Sequence, residues 1–307
     1  MHININQIEN NVNNNYQNIL QGIATNTLFT VSDKHFKTDI YNSSPTITKN
    51  GIQIQIEKFS ELKFSTNFYK VLDYIILKLT PQIPYKTTDT TKLAQNQYLT
   101  LSVSKFISTC GLSKANGTKA KEQLLNAIRI LTKMHLTFTH TIKQGKKSQS
   151  EYLSFRICNA FEKRGKFIIQ FHTDFLKYLS SSFIMPFNAN LFKIDMRHYP
   201  NAYLIARRLL LHHNMNYTKS NKNIISVAKL IESVPTLPTH KDIMNSGKHV
   251  KQQIIEPFEL NMTALCTEYD ILSNWNYQNP NPKSYEEFIK SSIFFILKSY
   301  PVRDTHK

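Results

Sequence analysis

Phe106–Leu131, FISTCGLSKANGTKAKEQLLNAIRIL, decides how this chain reads. A short apolar helix pattern opens at Ser102 or Ser104 and runs through Phe106 and Ile107. It stops at Gly111, a residue that accepts the left-handed backbone of a helix C-terminus. The polar turn GLSKANG follows, and the spacing predicts a longer helix from Thr118 to Met134. At about 100° per residue, Ala120, Leu124, Ala127, Ile128, Leu131 and Met134 share one stripe. Lys119, Glu122, Asn126, Arg129 and Lys133 fall opposite. An apolar face that anchors and a polar, cationic face left outward are the requirements of the second helix in a helix-turn-helix.

Working outward, Phe68, Val71, Leu72, Ile75, Ile76 and Leu79 recur at helical spacing after Ser65, and Pro81 and Pro84 end that helix. Tyr98–Leu101 reads as a short strand. Leu136–Ile142 alternates, the basic turn KQGKKSQSE follows, and Tyr152–Ile157 and Lys166–Phe171 make further strands. The hairpin closed by KQGKKSQSE is the expected wing, with Lys143, Lys146 and Lys147 at its tip where they would reach a phosphate backbone.

The pattern then recurs. Pro200 suits the first turn of a helix packed by Ala202, Leu204, Ile205, Leu209 and Leu210, and Ile224–Ile225 is a short strand. Ser226 caps Val227–Val234, and a short helix is expected from Thr239 or His240 to Met244. A long helix from Lys248 to about Leu265 buries Val250, Ile254, Phe258 and Leu265 and turns Lys248, His249 and Gln252 outward, flanked by Lys251. Pro257 should bend it. Tyr269–Tyr277 and Ile293–Leu297 form a second wing-like hairpin around the turn NPNPKS. The expected fold class is therefore α+β: two tandem winged helix-turn-helix domains with β-hairpin wings and a flexible, Asn-rich N-terminal arm. The expected boundaries are 1–59 for the arm and its leader strand GIQIQIEKF, 60–187 for the first domain and 188–307 for the second.

Bulk composition sets the partner. The 307 residues carry 38 Lys+Arg against 21 Asp+Glu, a formal net charge of +17. Such an excess attracts phosphate polyanions. Hydrophobic content of 41% and mean hydropathy of −0.36 fit a soluble globular protein. The longest apolar runs, such as Ile293–Leu297, are far too short to cross a bilayer. No basic helix shows a clean apolar face for a membrane surface. The N-terminus lacks a basic segment leading into an apolar one, so a cytoplasmic location is expected. Cys110, Cys158 and Cys266 are isolated and read as small buried hydrophobes.

Covalent and metal chemistry find no pattern. There is no H-x-H pair, and adjacent His212 and His213 would point about 100° apart on a helix. GLSKANGTK differs from a phosphate-binding loop: five residues separate Gly111 from Gly117, and Thr118 precedes Lys119. No nucleophile motif appears. No enzyme activity, cofactor or bound metal is expected.

The order of helix, strand, helix, turn, helix and hairpin, written twice, resembles the plasmid replication initiators that bind repeated origin sequences with tandem winged-helix domains. Three stretches carry the likeness: 106–131, already quoted; KFIIQFHTDFLKYL (166–179) leading into IMPFNANLFKIDMRHYPNAYLIARRLL (184–210); and SYEEFIKSSIFFIL (284–297). The resemblance implies a double-stranded DNA partner in the form of origin repeats, recruitment of host replication proteins, and for some relatives a homodimer that represses its own promoter. It implies binding and melting of DNA rather than catalysis. The expected base-reading and backbone-holding residues are Asn116, Lys119, Asn126, Arg129 and Lys133 with Lys143, Lys146 and Lys147 in the first domain. In the second they are Lys248, His249, Lys251 and Gln252. Two alternatives stand beside this reading: a winged-helix repressor without an initiator role, and a metal-dependent nuclease.

Overall fold

The computed structural model describes residues 15–21, 28, 46–49, 52–57, 62, 67–87, 89–144, 147–234, 237, 250–279, 282 and 284–301. Of residues 47, 49, 114, 138–144 and 147–152, only the backbone is described. The chain divides into two compact units, one of Leu20–Ile184 and the other of Met1–Ile19 with Met185–Lys307. The first described strand, β1 (Tyr16–Gln21), buries Tyr16, Ile19 and Leu20, although it falls within the stretch expected to be an arm. Most of that Asn-rich stretch lies outside the described residues.

In the unit of Leu20–Ile184, β2 (Thr46–Lys49) and β3 (Ile52–Ile56) precede α1 (Asn67–Leu79). Phe68, Val71, Leu72, Ile75, Ile76 and Leu79 are all buried, so the helical spacing of the sequence marks a true core face. Pro81 sits in a 3-10 turn over Thr80–Gln82 that ends the helix. The short α2 (Thr90–Gln95) is absent from the sequence reading. Its cap was legible: the Asp89 carboxylate accepts from the Thr91 and Lys92 N–H groups at 3.0 and 3.2 Å.

The helix-turn-helix follows β4 (Tyr98–Ser102). It consists of α3 (Val103–Thr109) and α4 (Gly117–Lys133). Gly111 has φ 61°, and the Leu112 N–H reaches back to the Ile107 carbonyl at 3.0 Å. This is the six-to-one bond that closes a helix through a left-handed residue. Ala120, Leu124, Ala127, Ile128, Leu131 and Met134 are buried as the stripe requires, and Ile130 joins them. α4 packs on α1 and α3.

Two hairpins come next, β5 (Met134–Gln144) with β6 (Lys147–Arg156) and β7 (Cys158–Lys163) with β8 (Lys166–Phe171). They belong to different sheets. Among the described residues, β5 and β6 join β2 and β3 in the order β2-β3-β5-β6, whereas β7 and β8 join β4 in the order β4-β8-β7. The strand ahead of the helix-turn-helix pairs with the second hairpin, so β7–β8 is the wing. This corrects the sequence expectation, which placed the wing at β5–β6 and Lys143, Lys146 and Lys147 at its tip. Lys143 and Lys147 lie on β5 and β6, facing Ser148 and Gln144 in the register. Their side chains, and Lys146 entirely, lie outside the described residues. α5 (Thr173–Ser180) closes the unit and packs on α2.

One ion cluster ties the other sheet together. Arg156 on β6 donates to both Glu57 carboxylate oxygens at 3.2 and 3.1 Å, and the His135 imidazole of β5 lies 2.9 Å from Oε1. Burial pushes the Glu57 carboxyl up, but Arg156 and His135 outweigh it and hold the group below the usual carboxylate value. Its folded pKa is therefore depressed. The cluster's contribution to stability is fully present above the unfolded pKa of about 4.3 and disappears as pH falls through the folded value. Glu57→Gln should flatten the acid limb of a stability-against-pH curve measured by urea unfolding between pH 7 and pH 3. Superimposable acid limbs for wild type and variant would reject the coupling.

In the other unit β1 pairs with β9 (Phe183–Asn188), and the Ala189 N–H bonds the Asn15 carbonyl. A 3-10 turn, Ala189–Lys193, leads to α6 (Ala202–Met215), whose N-cap position is taken by Asn201, so Pro200 lies ahead of the first turn and not in it as the sequence suggested. β10 (Ile224–Ser226) and α7 (Val227–Glu232) follow, and the Ser226 hydroxyl accepts from the Lys229 N–H at 3.5 Å. The helix expected near His240–Met244 lies outside the described residues. A π turn, Lys251–Ile255, runs directly into α8 (Glu256–Thr267), with Pro257 in the first turn of α8. β11 (Leu272–Tyr277), α9 (Tyr285–Lys290) and β12 (Ser292–Leu297) complete the unit, and the sheet runs β10-β12-β11. This is the order of β4-β8-β7 repeated. The expected plain hairpin instead carries α9 between its strands. The Ser284 hydroxyl accepts from the Glu287 N–H at 3.2 Å, and Ser284 with Glu287 three residues on is the spacing of a capping box.

Candidate nucleic-acid interface

α4 presents Thr118, Lys119, Lys121, Glu122 and Arg129 to solvent, while Lys133 and Asn126 are half-buried. The buried stripe sets this orientation. Once Leu124, Ala127, Ile128 and Leu131 face α1 and α3, residues on the opposite arc must point away. Asn116 stands at the N-cap position, but its side chain donates to the Ser113 hydroxyl at 3.0 Å instead of capping the helix. Lys119 and Arg129 make no ion pair among the described residues.

Lys121 is committed elsewhere. Its ammonium meets Glu162 of β7 at 2.7 Å, joining α4 to the wing. Beyond Glu162 the wing turns at Arg164 and Gly165, with φ of 51° and 70°. Positive φ at both central residues is the type I′ geometry that suits a two-residue hairpin. The register Lys163↔Lys166 places three exposed cations, Lys163, Arg164 and Lys166, at one tip beside α4. Sequence reasoning passed over them. Arg164-Gly165 between alternating strands was the available signal.

The other unit arranges similar parts with fewer exposed cations among the described residues. Lys251 and Gln252 are exposed on the π turn, while Lys248 and His249 lie outside the described residues. Its wing strand β11 exposes Ser273, Asn274 and Asn276, which are neutral hydrogen-bonding groups. Here too the wing is fastened to the helix: Tyr277 donates its hydroxyl to Glu259 Oε1 at 3.0 Å. Burial, reinforced by the Glu259 carboxylate, pushes the Tyr277 phenol far above its ordinary value, so it remains a donor.

The adjacent histidines and two of the cysteines are engaged or buried. His212 Nε2 lies 3.3 Å from the Asn221 carbonyl, and His213 Nδ1 lies 2.8 Å from the Asn223 amide oxygen. Burial pushes the Cys110 and Cys158 thiols up to about 11 and about 12, which suppresses thiolate at neutral pH. Among the described residues no three His, Cys, Asp or Glu side chains gather as a metal would require. No helix of the described residues is long and apolar enough to cross a membrane.

Comparison with known proteins gives the following. Residues 52–183, from the first residue of β3 to the first of β9, match the family described as Initiator Replication protein, WH1. No curated protein sequence matches the chain. Among solved structures, the Pi initiator protein in complex with iteron DNA is 14% identical, with 83% of this chain and 100% of that chain covered and a TM-score of 0.49. Domains 2 and 3 of RctB are 9% identical, with 85% and 92% covered and a TM-score of 0.45. The stretch that carries α3, α4 and the cationic wing is the stretch that the family match spans: residues 52–183 are similar to the WH1 domain of the initiator replication protein family.

Proposed function

We propose that this protein is a sequence-specific duplex-DNA-binding initiator of plasmid replication. It binds repeated origin sites and recruits host replication proteins. The observation that carries the reading is the outward face of α4, where Lys119 and Arg129 make no ion pair among the described residues, beside a wing tip of Lys163, Arg164 and Lys166, within the stretch that matches the WH1 model of the initiator family. A helix of this kind enters the major groove, where Arg bonds guanine and Asn or Gln bonds adenine in bidentate fashion. Asn116, Lys119, Asn126 and Arg129 read bases in this proposal. Lys133, Lys143, Lys146 and Lys147 hold phosphates together with the three wing cations. In the other unit Lys248, His249, Lys251 and Gln252 take the same part. The work is binding and duplex opening, with no catalytic step. A homodimer on the promoter is compatible with the same DNA-reading surface.

Protection mapping on the DNA flanking the gene tests the proposal. Protected repeats of uniform spacing are expected. A single palindrome over the promoter would favour a repressor, and no protection at any salt concentration would reject DNA reading altogether. Lys166→Ala has a separate signature. Removing one phosphate contact should weaken binding to every duplex alike and lower the slope of log K against log salt by about 1. An unchanged slope would remove the wing tip from the interface.

A further inference from the structure

The helix that carries Lys251 and Gln252 is unevenly wound. Glu256 donates its N–H to the Lys251 carbonyl, five residues back, across the π turn Lys251–Ile255. Pro257, the next residue, has no N–H, and a proline ring crowds the carbonyl four residues before it, here that of Gln253. A π turn relieves that crowding by admitting one extra residue into the winding.

The consequence is angular. In an unbroken α-helix Lys251, seven residues ahead of Phe258, would stand about 20° from it around the axis. Phe258 is fully buried, so the ammonium would face the core. The extra residue rotates the preceding turn by about 100°. Val250 then takes the line toward the core and is half-buried, Ile254 and Ile255 stay buried, and Lys251 and Gln252 are exposed. α8 itself is pinned and cannot turn to absorb the rotation. The buried Asn261 side chain donates through Nδ2 to the Pro257 carbonyl and accepts through Oδ1 from the Asn201 N–H, at the start of α6.

We infer that Pro257 is a positioning residue for DNA recognition: the π turn ahead of it sets the angular register in which Lys251 and Gln252 meet base edges. The inference rests on the DNA-reading role proposed above.

The test uses the full chain and a randomised duplex library, with base preferences read from the bound fraction. Three proteins are compared: wild type, Pro257→Ala, and Pro257→Ala combined with deletion of Gln253. The single substitution lets the helix wind continuously and should change the preference at the base pairs read by the first turn. Affinity for the wild-type site should fall about tenfold, the scale of one bidentate base contact, with affinity for unrelated duplex retained. The deletion removes the extra residue, so the double variant should regain the wild-type preference. A structural defect alone would not be rescued by shortening the helix. Wild-type preference retained in Pro257→Ala, or not regained in the folded double variant, overturns the inference. If circular dichroism shows Pro257→Ala unfolded, the double variant decides by itself. A wild-type protein that selects no sequence would refute the proposed function instead.

Discussion

Phe258→Ala is expected to destabilise the unit of Met1–Ile19 and Met185–Lys307 by about 3–5 kcal/mol, the usual cost of truncating a large aromatic in a core. Phe258 is fully buried and meets two rings edge-on, Phe288 of α9 at 5.3 Å and Trp275 of β11 at 6.3 Å. It therefore holds α8 to both its wing and the helix set between the wing strands. Truncation leaves a cavity in addition to the lost burial, and edge-to-face pairs contribute beyond their area. A domain has only about 5–15 kcal/mol of net stability, so the loss is a large share. Trp275 is the sole tryptophan, so its emission during urea unfolding reports on this contact directly. A shift below about 1 kcal/mol, outside the range for such truncations, would mean that the three rings do not form the centre of this core.

Arg129→Ala is expected to leave stability nearly unchanged and to act on recognition. The side chain is exposed on the outer arc of α4, away from the buried Ile128, Ile130 and Leu131. Surface substitutions of this kind usually stay within about 0.5 kcal/mol of wild type. As a base-reading contact, its loss should cost about 1–3 kcal/mol at the preferred site, or roughly 5- to 150-fold in Kd. It should also relax the preference at one position while unrelated duplex is bound as before. Equal weakening across all sequences would reassign Arg129 to the phosphate backbone. No change would remove it from the interface.

The two predictions draw on different parts of what was legible. The stripe from Ala120 to Met134 and the helix over Phe68–Leu79 follow from spacing alone, because a side chain's place around a helix is a local property of the chain. The same holds for Gly111, where only the left-handed backbone closes the turn, and for the capping residue Ser226. The missed helices α2 and α9 were also local. Asp89 ahead of Thr91 and Lys92, and Ser284 with Glu287, are caps that a closer reading of short segments would have found. The three wing cations were passed over for a different reason. KQGKKSQSE is the longer and more basic turn, and only the pairing of β4 with β8 singles out Arg164-Gly165.

Composition and spacing alone determined that the chain is basic and α+β, with a helix-turn-helix at α3 and α4 and an apolar stripe under each long helix. Each of these depends on residues within a few positions of one another. Tertiary structure alone decided which hairpin is a wing and which way the second helix faces. β5–β6 and β7–β8 both alternate, and pairing of β4 with β8, about 70 residues further along, selects between them. Pro257 announces a broken hydrogen bond wherever it stands. Whether the helix kinks or takes up an extra residue was settled by Phe258, Ile254 and Asn261, which fix what must face the core before Lys251 can face outward.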